Sequence, residues 1–309
     1  MRKFRITKLI SVALAIVMIL SLAACSDGNT SQKEGTTIKV ASKPWTEQLV
    51  LGSIFVEYLK ANGYPVEDRT GLGETPVIRP ALHSGQVDLY WEYTGTTLVN
   101  QMGEKKITES QEAYDKVKEW DKKENNVVWL DYALSNNTYT LMMRNENAEE
   151  LDIKSISDLA DYVNNNGDIK FASGLNFLER PDGLSGVEEA YGFKFEEGDI
   201  IPMAEGLTHG ALKDGKANVA MGFATDGRIA AFDLRILEDD KSFFPVYNPA
   251  PVIRQEILDE YPELEETLNK LSPLLDNDTV IKLNEKVDVD GEEPEDVAKD
   301  FLKDNGLIK

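Results

Sequence analysis

The chain has 309 residues, with 55 acidic side chains against 33 basic ones and a formal net charge of −22 at pH 7. So acidic a surface repels phosphate backbones, which sets nucleic acid aside as a partner and favours a soluble, self-repelling particle. Its one cysteine, Cys25, rules out an internal disulfide, so an exported fold would have to hold on its core alone.

In chain order, Arg2, Lys3, Arg5 and Lys8 precede an apolar run from Leu9 to Leu22, closed by Ala23-Ala24-Cys25. A basic start, a short apolar core and small residues before a cut predict a secretory signal peptide over residues 1–24, and the run is short for a membrane span. The LAAC ending resembles a bacterial lipobox. That resemblance implies cleavage before Cys25, a lipid on its sulfur, and a mature chain near −26, because four positive charges leave with the peptide. Residues 25–36 are polar without an apolar face and are expected to form a flexible tether. No later stretch approaches a membrane-spanning length, so the chain itself is not expected to be a channel or permease.

From Thr37 onward strands and helices alternate. Ile38–Ser42 predicts a strand. Pro44 suits the first turn of a helix that runs from Trp45 to an Asn62-Gly63 stop. Val66–Thr70 predicts a strand, Thr75–His83 a helix, Asp88–Tyr93 a strand, Ser110–Glu124 a helix and Val127–Leu130 a strand. Further on, Thr138–Met143 and Ile169–Ala172 read as strands, and Ser155–Asn164 and Gly183–Tyr191 as helices. From Arg254 the chain is mostly helical, punctuated by Pro262, Pro273 and Pro294. The alternation predicts an α/β fold with helices covering sheets on both sides.

One internal similarity says more. PALHSGQVDLYWEYTG (Pro80–Gly95) and GALKDGKANVAMGFATD (Gly210–Asp226) both read Ala-Leu, two polar residues, Gly, then a strand ending in an aromatic. Tyr93 lies eight residues after Gly85, and Phe223 lies eight after Gly215. If the units belong to two lobes, these rings face each other beyond the carboxyl ends of their strands, where ligands of open α/β sheets bind. Alternation puts Trp91 and Tyr93 on one side of their strand and Tyr90 and Glu92 on the other.

SKPWTEQ (Ser42–Gln48), GLGET (Gly71–Thr75), ALHSGQVDLYWEYTGT, NNTYTLMMR (Asn136–Arg144), FLERPDGL (Phe177–Leu184), GFATDGRI (Gly222–Ile229) and FFPVYNPAPVIR (Phe243–Arg254) occur in this order. Together they resemble the glycine betaine/choline-binding proteins of osmoprotectant ABC importers, over essentially the whole mature chain. The resemblance implies a two-lobe periplasmic-binding-protein fold of type II, with two crossovers and a ligand between the lobes. Lobe one would hold residues 37–137 and 249–309, and lobe two residues 138–248. It also implies an aromatic cage of Tyr93, Tyr139, Phe223 and Tyr247 around a quaternary ammonium, with Phe223 in place of the family's usual tyrosine. Positions matching Lys43, Thr96 and Arg180 would meet a ligand carboxylate. Two cations converging on one spot are costly without an anion between them, and choline offers no carboxylate. The expected ligand is therefore glycine betaine or a similar zwitterion, with choline or carnitine, or a sensor role without transport, as alternatives.

The implied partners are the small-molecule ligand and an ABC permease with its ATPase. The implied place is the outer face of the bacterial cytoplasmic membrane, with a monomer held there by its lipid alone. No cofactor, metal or catalytic residue is expected: GxSxG, GxxxxGK[ST] and HExxH are missing from the sequence. The run VDVDGEEPED (Val287–Asp296) fails as a calcium loop, because Gly291 at the sixth place would require Lys286 first and Val297 last. It is expected to be a solvated linker. The two histidines, His83 and His209, are expected on helix surfaces.

Overall fold

A computed structural model describes residues 33–309 other than Asn166. The expected signal peptide and Cys25 lie outside the described residues. Among those described, no helix is long and apolar enough to cross a membrane.

Among the described residues, ten strands form two five-stranded sheets. The first lobe's sheet contains β1 (Ile38–Ala41), β2 (Val66–Arg69), β3 (Leu89–Tyr93), β4 (Val127–Trp129) and β10 (Pro249–Arg254), in the order β2-β1-β3-β10-β4. The second contains β5 (Tyr139–Arg144), β6 (Phe171–Gly174), β7 (Ile200–Met203), β8 (Val219–Phe223) and β9 (Leu234–Ile236), in the order β7-β6-β8-β5-β9. The two orders are equivalent. In each sheet the middle strand pairs parallel with the strand on one side and antiparallel with a strand contributed after or at a crossover.

The helices used below are α1 (Thr46–Ala61), α2 (Thr75–His83), α3 (Ser110–Asn125), α4 (Ile156–Asn164), α5 (Leu184–Tyr191), α6 (Thr208–Lys213), α7 (Asn277–Asp288) and α8 (Pro294–Asp304). Ser155 caps α4 through a reciprocal capping box with Asp158. Gly85 and Gly215 end α2 and α6 with φ of +71° and +70°, a conformation that glycine adopts without strain. The repeated units therefore occupy the same place in two lobes. Asp88 and Asn218, each three residues past that glycine, fix the parallel neighbour in the same way. Asp88 Oδ2 accepts from the Lys39 N–H at 3.0 Å, and Asn218 Oδ1 from the Lys170 N–H at 2.7 Å.

Strand β10 was hidden by Pro249 and Pro251, residues that argue against a central strand. Both lie on the side of β10 where only their carbonyls are used: Pro251 accepts from the Leu130 N–H and Pro249 from the Ala133 N–H. The missing N–H groups thus cost the ladder to β3 nothing. Short β7 and β9 lacked a distinguishing pattern. Helix α7 runs through Asp288, so the acidic run begins inside a helix rather than as a linker, and Asp288 Oδ1 accepts from the Thr46 hydroxyl at 2.6 Å. Lys33–Thr36, placed in the tether by sequence, lie against the first lobe, with the Lys33 N–H donating to Gly63 O at 2.7 Å.

The aromatics of β3 divide as alternation requires. Tyr90 packs into the core shared by α2 and α3. Trp91 packs on the opposite face, stacked on Phe55 of α1 with ring centroids 4.7 Å apart, and its indole N–H donates to Leu51 O. Val297, Phe301 and Leu302 of α8 close that core. Tyr93, at the strand end, joins the cluster of the other lobe.

Two predictions follow from this packing. Trp91→Ala should cost about 3–5 kcal/mol of stability in urea denaturation; a loss below about 1 kcal/mol would refute the role given to this stack. The second concerns His209, which is 1% exposed, against the surface position expected from sequence. Burial pushes its imidazole down to about 4 from 6.5, with Asp226 opposing and Arg228 assisting. The folded chain therefore binds fewer protons here than the unfolded one, and stability falls as pH drops from 6.5 toward 4. In His209→Gln the slope of Tm against pH over that window should be shallower; parallel slopes would refute the assignment.

Candidate functional site

The two connections between lobes, residues 130–138 and 237–248, run side by side. Asn137 N–H donates to Tyr247 O at 3.2 Å, and Tyr247 N–H to Asn136 Oδ1 at 2.8 Å. This pairing sets Tyr139 and Tyr247 beside the crossovers. The antiparallel register of β5 and β8 places Tyr139 directly opposite Phe223, with ring centroids 5.0 Å apart. Tyr139 and Tyr247 meet edge to face at 5.5 Å. Tyr93 arrives from β3 of the other lobe. All seven candidate ligand residues (Tyr93, Tyr139, Phe223, Tyr247, Lys43, Thr96 and Arg180) line one interlobe cavity of about 20 Å³.

Sequence reasoning missed Trp45, although it stands within SKPWTEQ. Its ring lies between the two strand-end aromatics, stacked on Phe223 at 4.9 Å and on Tyr93 at 5.7 Å. The rings expected to face each other across the cleft therefore do so with an indole between them. Gly95 explains the turn after Tyr93. A Cβ there would sit 2.6 Å from Val246 O and 2.8 Å from the Tyr247 ring, so only glycine lets Tyr247 approach.

The charges differ from the expected pattern. Lys43 Nζ donates to Glu92 Oε1 at 2.8 Å, with both side chains buried. Burial pushes the Glu92 carboxyl up, but Lys43 and the donors around it leave it below its ordinary value. Arg180 is held by Asp182 through Nε at 2.8 Å and Nη2 at 2.6 Å. Tyr247 OH donates to the same carboxylate at 2.5 Å. The two cations are thus already balanced, and charge repulsion alone does not demand an anionic ligand group. Their positions still matter: Lys43 Nζ lies 5.1 Å from the Tyr93 ring centre, and Arg180 Cζ 5.2 Å from that of Tyr139. Arg180 sits between two helical segments, ending the short helix Leu175–Glu179, which sequence reasoning did not predict.

Two further carboxylates line the cavity, Glu74 and Glu205. Burial pushes both up. In Glu205 the neighbouring Glu74 adds to burial and carries the carboxyl to about 8, against the pull of Arg180 and Lys43. Their signal in the sequence is their place in the repeat: Glu74 precedes α2 and Glu205 precedes α6, nineteen residues before Tyr93 and eighteen before Phe223. Among the described residues no cluster of histidine, cysteine or carboxylate side chains has the arrangement of a metal site.

The sequence from residue 36 to 304 matches a family described as the substrate binding domain of an ABC-type glycine betaine transport system. A glycine-betaine-binding protein of Pseudomonas aeruginosa is 38% identical, across 95% of this chain and 96% of its own. A Helicobacter pylori protein named as an ergothioneine transport permease and binding protein is 37% identical, over 89% of this chain and 48% of that longer one. Among solved structures, a glycine betaine/carnitine/choline ABC transporter protein superposes with a TM-score of 0.71 at 30% identity, covering 89% of this chain and 100% of that one. Agreement over nearly the whole folded length makes the chain a member of the substrate-binding proteins of glycine betaine/carnitine/choline-type ABC importers, components that bind their solutes rather than transform them.

Proposed function

We propose that this chain captures glycine betaine, or a similar carboxylate-bearing quaternary ammonium solute, outside the bacterial cytoplasmic membrane and hands it to an ABC permease. The observation that carries this reading is the convergence of aromatic rings from both lobes with Lys43, Thr96 and Arg180 around one cavity. A trimethylammonium has no N–H to donate, so only ring faces recognise it, each by about 0.5–1 kcal/mol when wet and about 2 when dry. Trp45 joins Tyr93, Tyr139, Phe223 and Tyr247 in that role. A carboxylate on the same ligand takes the bonds that the ion pairs leave over. Lys43 keeps donors beyond the one given to Glu92, and Arg180 Nη1 makes no hydrogen bond among the described residues. Charge-assisted bonds of this kind contribute about 1.5–3 kcal/mol each.

A ligand held in this cavity touches both lobes. Binding then draws them together, since only the closed state makes both sets of contacts. The lobes divide near residues 137 and 248, and the permease reads the closed shape. Lipid on Cys25, beyond a tether that begins at Ser26, keeps the monomer at the membrane.

Calorimetric titration of the chain from Ser26 onward with glycine betaine and, separately, choline tests this. Glycine betaine should bind more tightly than choline. Phe223→Leu should weaken either ligand about threefold to tenfold, and Lys43→Ala should weaken glycine betaine about tenfold while sparing choline. Choline binding more tightly, with Lys43→Ala neutral, would remove the carboxylate clamp. Silence with both ligands, in protein shown to be folded, would remove the cage. Separately, Gly95→Ala should displace the Tyr247 ring and lower betaine affinity about tenfold; unchanged affinity would show that Tyr247 does not touch the ligand.

A further inference from the structure

We propose that the preferred ligand is a betaine whose side chain carries an N–H donor, held between Glu74 of the first lobe and Glu205 of the second. This rests on the betaine reading above and adds a second recognition point to it.

Three observations point there. The first is position. Glu74 and Glu205 line both the ring-walled cavity and an adjoining open groove of about 800 Å³. They stand at the passage from one to the other, where a side chain leaving the cage must go. The groove continues past Leu175 and Leu207, which are 60% and 62% exposed. A solute as small as glycine betaine would leave this passage unused.

The second is hydrogen bonding. Both oxygens of Glu205 and Oε2 of Glu74 are shut off from solvent, and each lacks a partner among the described residues. The Asn176 amide approaches Glu205 and the Trp45 indole approaches Glu74, but neither reaches hydrogen-bond geometry. Buried acceptors left open are costly, and a donor that fills them is strongly selected over an analogue lacking it.

The third is charge. Lys43 and Arg180 face Glu92 and Asp182, which already neutralise them. Glu74 and Glu205 are therefore surplus carboxylates. At neutral pH the pair retains a proton, consistent with a Glu205 carboxyl raised to about 8 by burial and by Glu74. That one proton joins one carboxylate oxygen to another at most, so of the three open oxygens at least one is left to accept a ligand N–H. A zwitterion without a donor leaves the pair as it was.

The test uses three probes on the chain from Ser26 onward, which holds every described residue: glycine betaine, Nα-trimethylhistidine and Nα-trimethylphenylalanine. The last two share the betaine head and a ring of similar size, and only the histidine derivative offers an N–H. Calorimetry should show trimethylhistidine binding at least tenfold more tightly than either of the others. In Glu74→Gln and in Glu205→Gln the ratio of trimethylhistidine to trimethylphenylalanine affinity should fall toward one. Trimethylhistidine binding no better than glycine betaine would overturn the proposal and leave the betaine reading standing. Equal binding of the two ring derivatives would assign the groove to bulk alone and overturn it too, as would a preference that survives both substitutions. No binding by any probe to folded protein would overturn the betaine reading and this proposal with it.

Discussion

A single buried carboxylate ties the site to the fold. Glu47, in the first turn of α1, is 3% exposed and accepts four hydrogen bonds. Its Oε1 takes the Tyr93 hydroxyl at 2.7 Å and the Asn137 amide at 3.0 Å. Its Oε2 takes the Thr225 hydroxyl of the second lobe at 2.5 Å and, more loosely, the Asn284 amide of α7 at 3.4 Å. Burial raises its carboxyl above the ordinary value, and these four donors counter the rise only in part. Breaking such a centre would leave an unpaired buried acid, so the group that fixes the Tyr93 ring also holds the lobes in register at one end of the cleft.

The same end of the cleft carries a second lobe-to-lobe tie. Asn284 donates to Thr225 O at 2.9 Å, and Arg228 Nε lies 3.4 Å from Asp288. Helix α7 of the first lobe is thus pressed on the turn after β8. Gly227 permits this, since a Cβ there would lie 2.7 Å from the Glu285 backbone. These contacts join the two lobes directly, whatever a ligand adds between them.

Much of the frame was legible locally. The Gly85 and Gly215 stops and the eight-residue step to Tyr93 and Phe223 are short-range features, and short-range sterics and hydrogen bonding decide them. Strand β10 was not legible. Its two prolines are unfavourable in isolation and become harmless only because the residues opposite them ask for carbonyls alone. His209 read as a surface residue because a six-residue helix offers too little periodicity to show which side is buried.

For the site, the family resemblance carried by motifs in order named four rings, two cations and a threonine, and the fold brings them around one cavity. Only the tertiary structure decided what those groups face. Lys43 finds Glu92 across 49 positions, Tyr247 finds Asp182 across 65, and Trp45 slides between rings from two lobes. The charge state of a buried group depends on distances of a few ångströms to partners that lie far away in the chain. For that reason the sequence determined which chemistry was available, and the fold decided which cations were already satisfied and which carboxylates were left open.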